Sequence, residues 1–294
     1  MLATFDHSQF RLEDLLPLKS EAITVCVPTR ETAATIAATV RELVALRERG
    51  LVDQVLVIDA DSADGTATIA HSAGAEVLQE AELLPEAGPV EGKGDAMWRA
   101  LAVAKGEIVV YLDGDVRDFG CHYVTGLLGP LLQSPRTEFV KGFYRRPLAI
   151  EEMEIEDGGG RVTELSARPL LELLVPELAE FRQPLAGECA GRRELLTRIP
   201  YFTGYGVEIA MLVDVWRAVG VERMAQVDLG SKRNSHQSLA ALAEMSREVI
   251  EALAARLQEP SNMTTGKLEA TPGTKPRLHL RPPIAELLGP RIYR

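Results

Sequence analysis

The chain has 294 residues, enough for one large domain or one domain with a sizeable appendage. Hydrophobic residues make up 46% and charged residues 26%, a globular mixture that argues against wholesale disorder and fibrous repeats. Thirty-two Lys and Arg against 43 Asp and Glu give a net charge of -11, which opposes non-specific nucleic-acid binding.

No apolar run reaches the ~18–20 residues of a membrane span, so no membrane association is expected. Residues 1–10, with Asp6, His7, Ser8 and Gln9, lack the basic-then-apolar pattern of a secretory signal. Cys26, Cys121 and Cys189 form no C-x-x-C and no zinc spacing, so reduced cysteines in a cytoplasmic protein are expected.

Residues 1–20 read as a lead-in helix or arm. Residues 22–27 (Ala-Ile-Thr-Val-Cys-Val) are β-rich and stop at Pro28, which predicts a strand. Ile36, Val40, Leu43 and Val44 then recur at helical spacing, and Gly50 ends that helix. Residues 54–58 are near-continuously apolar, as in a strand buried on both faces. Further strands are predicted at 75–78, 107–112, 138–144 and 224–229, and helices at 66–72, 94–105, 161–174, 206–219 and 239–257. Residues 151–160 are acidic and glycine-rich and read as a loop. From Glu259 the chain turns to Pro, Thr and Gly and reads as an extended arm or partly disordered tail.

Strands alternating with helices predict an α/β fold with a mainly parallel sheet. Ligands bind such sheets outside the carboxyl ends of the strands. Residues 28–32, 59–62 and 113–115 all fall at that edge.

Asp113-Gly114-Asp115 directly follows the strand at 107–112. A turn at Gly114 lets both carboxylates face one ligand, either as a Mg²⁺ or Mn²⁺ site bridging to a diphosphate or as a solvated turn. Asp59 ends a buried strand, placed to accept from a base or ribose or to cap a turn. Lys93, between Gly92 and Gly94 before a helix, suits an anion, or is an exposed loop lysine; the P-loop spacing is absent. Gly158-Gly159-Gly160-Arg161-Val162-Thr163 combines helix-end amides, a guanidinium and a hydroxyl: a phosphate or carboxylate site, or a hinge. Glu208 in the first turn of the helix at 206–219 is favoured there by the helix dipole whatever else it does. His236, in the polar loop 231–236, is solvated unless a metal lies opposite.

In this order the pieces resemble nucleotide-sugar glycosyltransferases of the GT-A fold. More narrowly they resemble the bacterial glucosyl-3-phosphoglycerate and mannosyl-3-phosphoglycerate synthases. The likeness runs from about residue 22 to 257. It is carried by Gly92-Lys93-Gly94-Asp95-Ala96-Met97-Trp98-Arg99, Asp113-Gly114-Asp115, Val140-Lys141-Gly142-Phe143-Tyr144-Arg145-Arg146-Pro147, Gly158-Gly159-Gly160-Arg161-Val162-Thr163-Glu164-Leu165, Arg168-Pro169-Leu170 and Gly204-Tyr205-Gly206-Val207-Glu208-Ile209.

The resemblance implies a Rossmann-like GT-A half at 22–147 for the nucleotide sugar and an α/β acceptor half at 148–258, flanked by an arm at 1–21 and a tail at 259–294. It implies a retaining transfer of glucose or mannose from UDP-glucose or GDP-mannose to 3-phosphoglycerate by a homodimer that uses Mg²⁺ or Mn²⁺. Pro28, Thr29, Arg30, Thr32, Asp59, Ala60 and Lys93 would bind the donor, with Asp113 and Gly114, and Tyr205 and Glu208 would face its sugar. Asp113, Asp115 and Glu208 would be catalytic. Gly160, Arg161, Val162, Thr163 and His236 would take the acceptor. Asp115 and His236 would hold the metal.

The chain departs from the family pattern around the donor. The usual P-A-L-N-E-E loop is Pro28-Thr29-Arg30-Glu31-Thr32, the usual D-S-D is Asp113-Gly114-Asp115, and the usual H-R-N is Asn234-Ser235-His236. Either His236 reaches the ion or the site uses one fewer protein ligand; we assign His236. A locally basic cleft of Lys93, Lys141, Arg145, Arg161 and Lys232 is expected to draw in the two anionic substrates. The alternatives are a sugar-nucleotidyltransferase, which would want a G-x-G-x-R loop that residues 28–31 lack, and a non-catalytic nucleotide-sugar sensor.

Overall fold

The computed structural model describes residues 1–150, 153–155, 158–232, 237–258 and 278–289. The strands, in chain order, are β1 (Ala3–Asp6), β2 (Ile23–Thr29), β3 (Gln54–Asp59), β4 (Glu76–Gln79), β5 (Ile108–Tyr111), β6 (Phe139–Arg145), β7 (Leu148–Ile150), β8 (Met153–Ile155), β9 (Cys189–Arg192), β10 (Tyr201–Phe202), β11 (Met224–Ser231) and β12 (Leu280–Arg281). Eight of them form one sheet in the order β1-β11-β6-β9-β5-β2-β3-β4. Every neighbouring pair is parallel except those of β9, which runs antiparallel between β5 and β6. The predicted mainly parallel sheet is therefore present, and it passes through both halves of the chain.

Alternation along the strands divides the core between the two faces of the sheet. Leu56, Ile58, Val109 and Tyr111 face one side, against the helices Lys93–Ala100, Val207–Val219 and Leu239–Gln258. Val55, Val57, Ile108 and Val110 face the other, against the helices Ile36–Glu48 and His122–Gln133. Residues of β3 are buried throughout, which is why that run reads as continuously apolar.

Several segments differ from the sequence reading, among them β9 and the helix Arg193–Arg198, which it does not contain. Residues 1–20, read as a helix or arm, do hold the short helix Leu12–Leu15 but begin with the edge strand β1, parallel to β11 with Ala3 opposite Ala225. Its residues stay largely exposed, so Ala-Thr-Phe-Asp carries no apolar run to announce it. The acidic segment 151–160, read as a loop, contributes the strand β8, which pairs antiparallel with β7 just ahead of the segment, Leu148 opposite Ile155. The helix His122–Gln133 has no predicted counterpart, because Gly126, Gly129 and Pro130 read as breakers.

Part of the C-terminal segment is packed. Leu280 pairs with Phe202, Trp98 Nε1 donates to the Pro282 carbonyl at 2.8 Å, and Ile284 is fully buried. No helix of the described residues is long and apolar enough to cross a membrane.

Candidate active site

The carboxyl ends of β2, β3, β4 and β5 open into a cavity of about 800 Å³, a size that suits a small-molecule site. The turn Asp113-Gly114-Asp115 follows β5 and passes over the end of β2. A Cβ on Gly114 would lie 2.9 Å from Thr29 Cγ2, so the middle position of the acid pair has room for little more than glycine.

The two acids have different surroundings. Asp113 is held from both sides: Lys93 Nζ lies 2.5 Å from its Oδ1 and Lys232 Nζ 2.6 Å from its Oδ2. Lys93, at the start of the helix Lys93–Ala100, also lies 2.8 Å from Glu208 Oε1, in the first turn of the helix Val207–Val219. Lys232, just after β11, also lies 2.6 Å from Glu188 Oε1, and Tyr144 Oη donates to Glu188 Oε2 at 2.8 Å. One chain of contacts thus runs from Glu208 through Lys93, Asp113, Lys232 and Glu188 to Tyr144. Burial pushes the Asp113 carboxyl up, but the charges of Lys232 and Lys93 outweigh it and hold the group well below its ordinary range. Burial likewise depresses both lysines, and their carboxylate partners more than restore them, well above the usual lysine value.

Asp115 faces the cavity, and no described side chain bonds its oxygens. Desolvation in the cleft and the neighbouring Asp113 charge push its pKa up. A cation would relieve both effects. Among the described residues no group of three His, Cys, Asp or Glu forms a metal cage. A single free carboxylate fits Mg²⁺ or Mn²⁺, which complete their shells with phosphate oxygens and water.

Arg146, Gly160, Arg161, Val162 and Thr163 line the same cavity as the acid pair, and Arg146 and Lys232 both lie over the Tyr144 ring, at 5.3 and 5.2 Å. Gly160 has φ +69° and Thr163 is buried. The helix that begins there carries a π-type turn at Thr163–Ala167, a feature frequent at functional sites. Arg161 donates to the Gln237 carbonyl at 3.0 Å. Leu242, Met245 and Glu248 of the helix Leu239–Gln258 supply a third wall, and Glu248 accepts the Tyr205 N–H at 2.7 Å.

Pro28, Thr29, Arg30, Thr32, Ala60, Lys93, Gly114, Tyr205 and Glu208, which the resemblance assigns to the donor, all line the cavity. Asp59 does not. It is buried, and its oxygens accept from Thr29 Oγ1 at 3.1 Å and from the Ser62 amide and hydroxyl at 3.0 and 2.7 Å. It holds the turn that presents Ala60 rather than facing a ligand. His236 and Asn234 lie outside the described residues. The expected basic cleft also needs correction. Lys141 is buried beneath the site, Arg145 points to solvent, and Arg146 lines the cavity in its place.

Sequence reasoning missed Gly187, Glu188, Arg146 and Glu80. The available signal at Glu188 is a charge inside the small-residue run Ala186-Gly187-Glu188-Cys189-Ala190, where only a paired acid can be buried.

A mostly parallel α/β sheet with a D-x-D turn at the mouth of a cavity on its carboxyl edge is the arrangement of a glycosyltransferase, and residues 24–132 match the glycosyl transferase family 2 model. Over 259 residues the chain is 44% identical to the glucosyl-3-phosphoglycerate synthase of Mycolicibacterium smegmatis, covering 85% of this chain and 84% of that one. It is 39% identical over 265 residues to the glucosyl-3-phosphoglycerate synthase of Petrotoga mobilis, with coverage of 87% and 81%. The crystal structure of mannosyl-3-phosphoglycerate synthase from Rubrobacter xylanophilus superposes with a TM-score of 0.87 at 44% identity, covering 97% of each chain. That of glucosyl-3-phosphoglycerate synthase from Mycobacterium tuberculosis, in complex with Mn²⁺, UDP-glucose and phosphoglyceric acid, gives 0.83 at 38% identity, covering 97% of this chain and 99% of that one. The chain belongs to this family of 3-phosphoglycerate hexosyltransferases.

Proposed function

We propose that the protein moves glucose or mannose from a nucleotide sugar, UDP-glucose or GDP-mannose, to 3-phosphoglycerate with retention, giving glucosyl- or mannosyl-3-phosphoglycerate. One observation carries this reading. A single cavity is lined both by the Lys93–Asp113–Lys232 cluster with Asp115 and by Arg146 and residues 160–163, so two anionic reactants can meet within it. The relatives' contents, Mn²⁺ with UDP-glucose and phosphoglyceric acid, support it.

Asp115 would hold Mg²⁺ or Mn²⁺, which when bound supplies Lewis-acid neutralisation of the departing diphosphate. Lys93 stays protonated between Asp113 and Glu208 and offers its charge to the donor from the start of its helix. Arg161, Arg146 and the Thr163 hydroxyl grip the acceptor's phosphate and carboxylate, which orients its hydroxyl toward the anomeric carbon. Glu208, facing the cavity, offsets positive charge that grows on the sugar ring.

The free cysteines Cys26, Cys121 and Cys189 support a cytoplasmic setting. Leu165, Leu173 and Leu239, each 78% exposed, support the homodimer. The function is tested by incubating each nucleotide sugar with 3-phosphoglycerate, with and without Mg²⁺. Release of nucleoside diphosphate and a hexosyl-phosphoglycerate is expected; release of pyrophosphate, or no turnover with any donor, sinks the reading.

A further inference from the structure

The groups at the carboxyl ends of the parallel strands form a row. Asp113 and Asp115 follow β5, residues 28–30 end β2, Ala60 follows β3 and Glu80 follows β4. Neighbouring strands lie about 4.8 Å apart, which sets Glu80 roughly 14 Å along the edge from the acid pair. A nucleotide with its diphosphate at Asp115 and its ribose over β2 brings its base to β3 and β4.

Glu80 lines the cavity at 1% exposure, and neither of its carboxylate oxygens has a hydrogen-bond partner among the described residues. The cations near it are committed elsewhere. Arg99 donates to the carbonyls of Leu83, Leu84, Gly88 and Pro89 and pairs with Asp95 at 3.2 Å. Arg281 forks onto Asp95 at 2.8 and 2.9 Å and donates to the carbonyls of Ala87 and Pro89. Arg30 faces the same end of the cavity from the end of β2. A buried acid with both oxygens unbonded is costly to the fold, so a ligand that brings hydrogen-bond donors gains the whole of that interaction.

We propose that Glu80 reads the base of the donor nucleotide and selects guanine over uracil. This deepens the transferase reading and rests on its assignment of the β2–β4 side of the cavity to the donor. Guanine carries two adjacent donors on its Watson–Crick edge, N1–H and N2–H, which match the two oxygens of Glu80 once it is ionised; the protonated acid offers one donor and one acceptor, as a glutamine does. Uracil offers one donor, N3–H, flanked by two carbonyl oxygens. A carboxylate that accepts that proton turns its second oxygen toward an acceptor, and the mismatch repels. The glutamine of Glu80→Gln has one acceptor and one donor. It matches uracil's N3–H and O4 and loses one of guanine's two bonds.

The test, run at pH 9 where the Glu80 carboxyl is ionised, is donor selectivity at fixed hexose, GDP-glucose against UDP-glucose with 3-phosphoglycerate and Mg²⁺, in the wild type and in Glu80→Gln. The wild type is expected to favour the guanine donor by at least about ten-fold in kcat/KM. Glu80→Gln should shrink that ratio by at least about ten-fold, through the donor KM, with the KM for 3-phosphoglycerate unchanged. A merely structural Glu80 would depress both donors alike. Calorimetry of GDP and UDP binding to the wild type decides the point without any variant. Equal or tighter binding of UDP, or an unchanged ratio in Glu80→Gln, overturns the proposal. If no donor were turned over, the transferase reading would fall, while the GDP-to-UDP affinity ratio would still judge Glu80.

Discussion

Gly187 packs so tightly against Asp113 that a Cβ there would lie 2.2 Å from Asp113 Oδ1 and 2.4 Å from Lys93 Nζ. The short loop before β9 therefore sets the position of the acid–lysine contact. In Gly187→Ala the carboxylate must swing away from Lys93. A displacement of about 1 Å in a site of this kind costs on the order of 100-fold in rate, whereas overpacking costs about 1–3 kcal/mol of stability. Steady-state assay and thermal melting together should show kcat falling by about that factor in a protein that still folds. Wild-type kcat in the variant would show that the contact has no catalytic weight.

Asp115, without a bonded partner among the described residues, is expected to carry the ion, and Asp113 to be the fixed group behind it. Asp115→Ala should weaken Mn²⁺ binding in the presence of a nucleoside diphosphate, read by electron paramagnetic resonance. It should lower turnover by at least about 100-fold, since Lewis-acid assistance supplies several kcal/mol. Chelation should stop turnover and leave the melting temperature of the nucleotide-free protein unchanged, because Lys93 and Lys232 already balance Asp113. Undiminished Mn²⁺ binding in Asp115→Ala would move the metal site elsewhere.

Arg161 is expected to bind the acceptor rather than the donor. Losing charge-assisted bonds worth about 1.5–3 kcal/mol should raise the KM for 3-phosphoglycerate in Arg161→Ala by roughly 10- to 100-fold. The donor KM should stay within about two-fold of wild type, since Lys93 and residues 28–30 are untouched. A donor-side effect of equal size would mean that residues 160–163 serve the wrong substrate in this scheme.

The parts legible in the sequence are those whose local pattern equals their final environment. β2, β3 and β5 are buried on both faces, so their residues read as apolar runs. Asp113-Gly114-Asp115 and residues 160–163 announce themselves because turn chemistry and charge sit at element ends. Other features depend on distant partners. Glu188 is fully buried only because Lys232 and Tyr144, each 44 positions away, meet it. β9 enters the sheet antiparallel between β5 and β6, and Cys-Ala-Gly-Arg carries no signal of that. Asp59 shows the converse: a carboxylate at a strand end suits either a ligand or a turn, and Ser62 three residues on decides for the turn.

Arg281 ties the C-terminal strand to the helix Lys93–Ala100 through Asp95, which is fully buried. Asp95 also accepts the Glu91 N–H at 3.0 Å, just ahead of Lys93. Arg281→Ala leaves Asp95 with Arg99 as its one cation among the described residues and should cost about 3 kcal/mol, the lower end for a broken buried pair. Urea unfolding would measure it, and a raised donor KM with an unchanged acceptor KM should accompany it. A loss below about 1 kcal/mol would place the pair among weak surface contacts.

Glu80 gives the protein a pH-dependent weakness that can be measured without substrate. Burial first, and then the Asp95 charge, push its carboxyl up to about 8, against the opposing pull of Arg99, Arg281 and Arg30. Its pKa in the unfolded chain is about 4.3. Between those two values the folded protein keeps a proton that the unfolded chain has released, so this group's contribution makes stability fall as pH rises. Glu80→Gln cannot ionise and should lack that slope. The variant and the wild type should unfold alike near pH 4, and the variant should gain on the wild type up to pH 8 by on the order of 4 kcal/mol. Urea midpoints at pH 5, 6.5 and 8 would reveal the divergence. Adding GDP at pH 8 should narrow it, because a base that bonds the carboxylate stabilises the wild type's ionised form; parallel pH profiles for the two proteins would show that Glu80 is solvated.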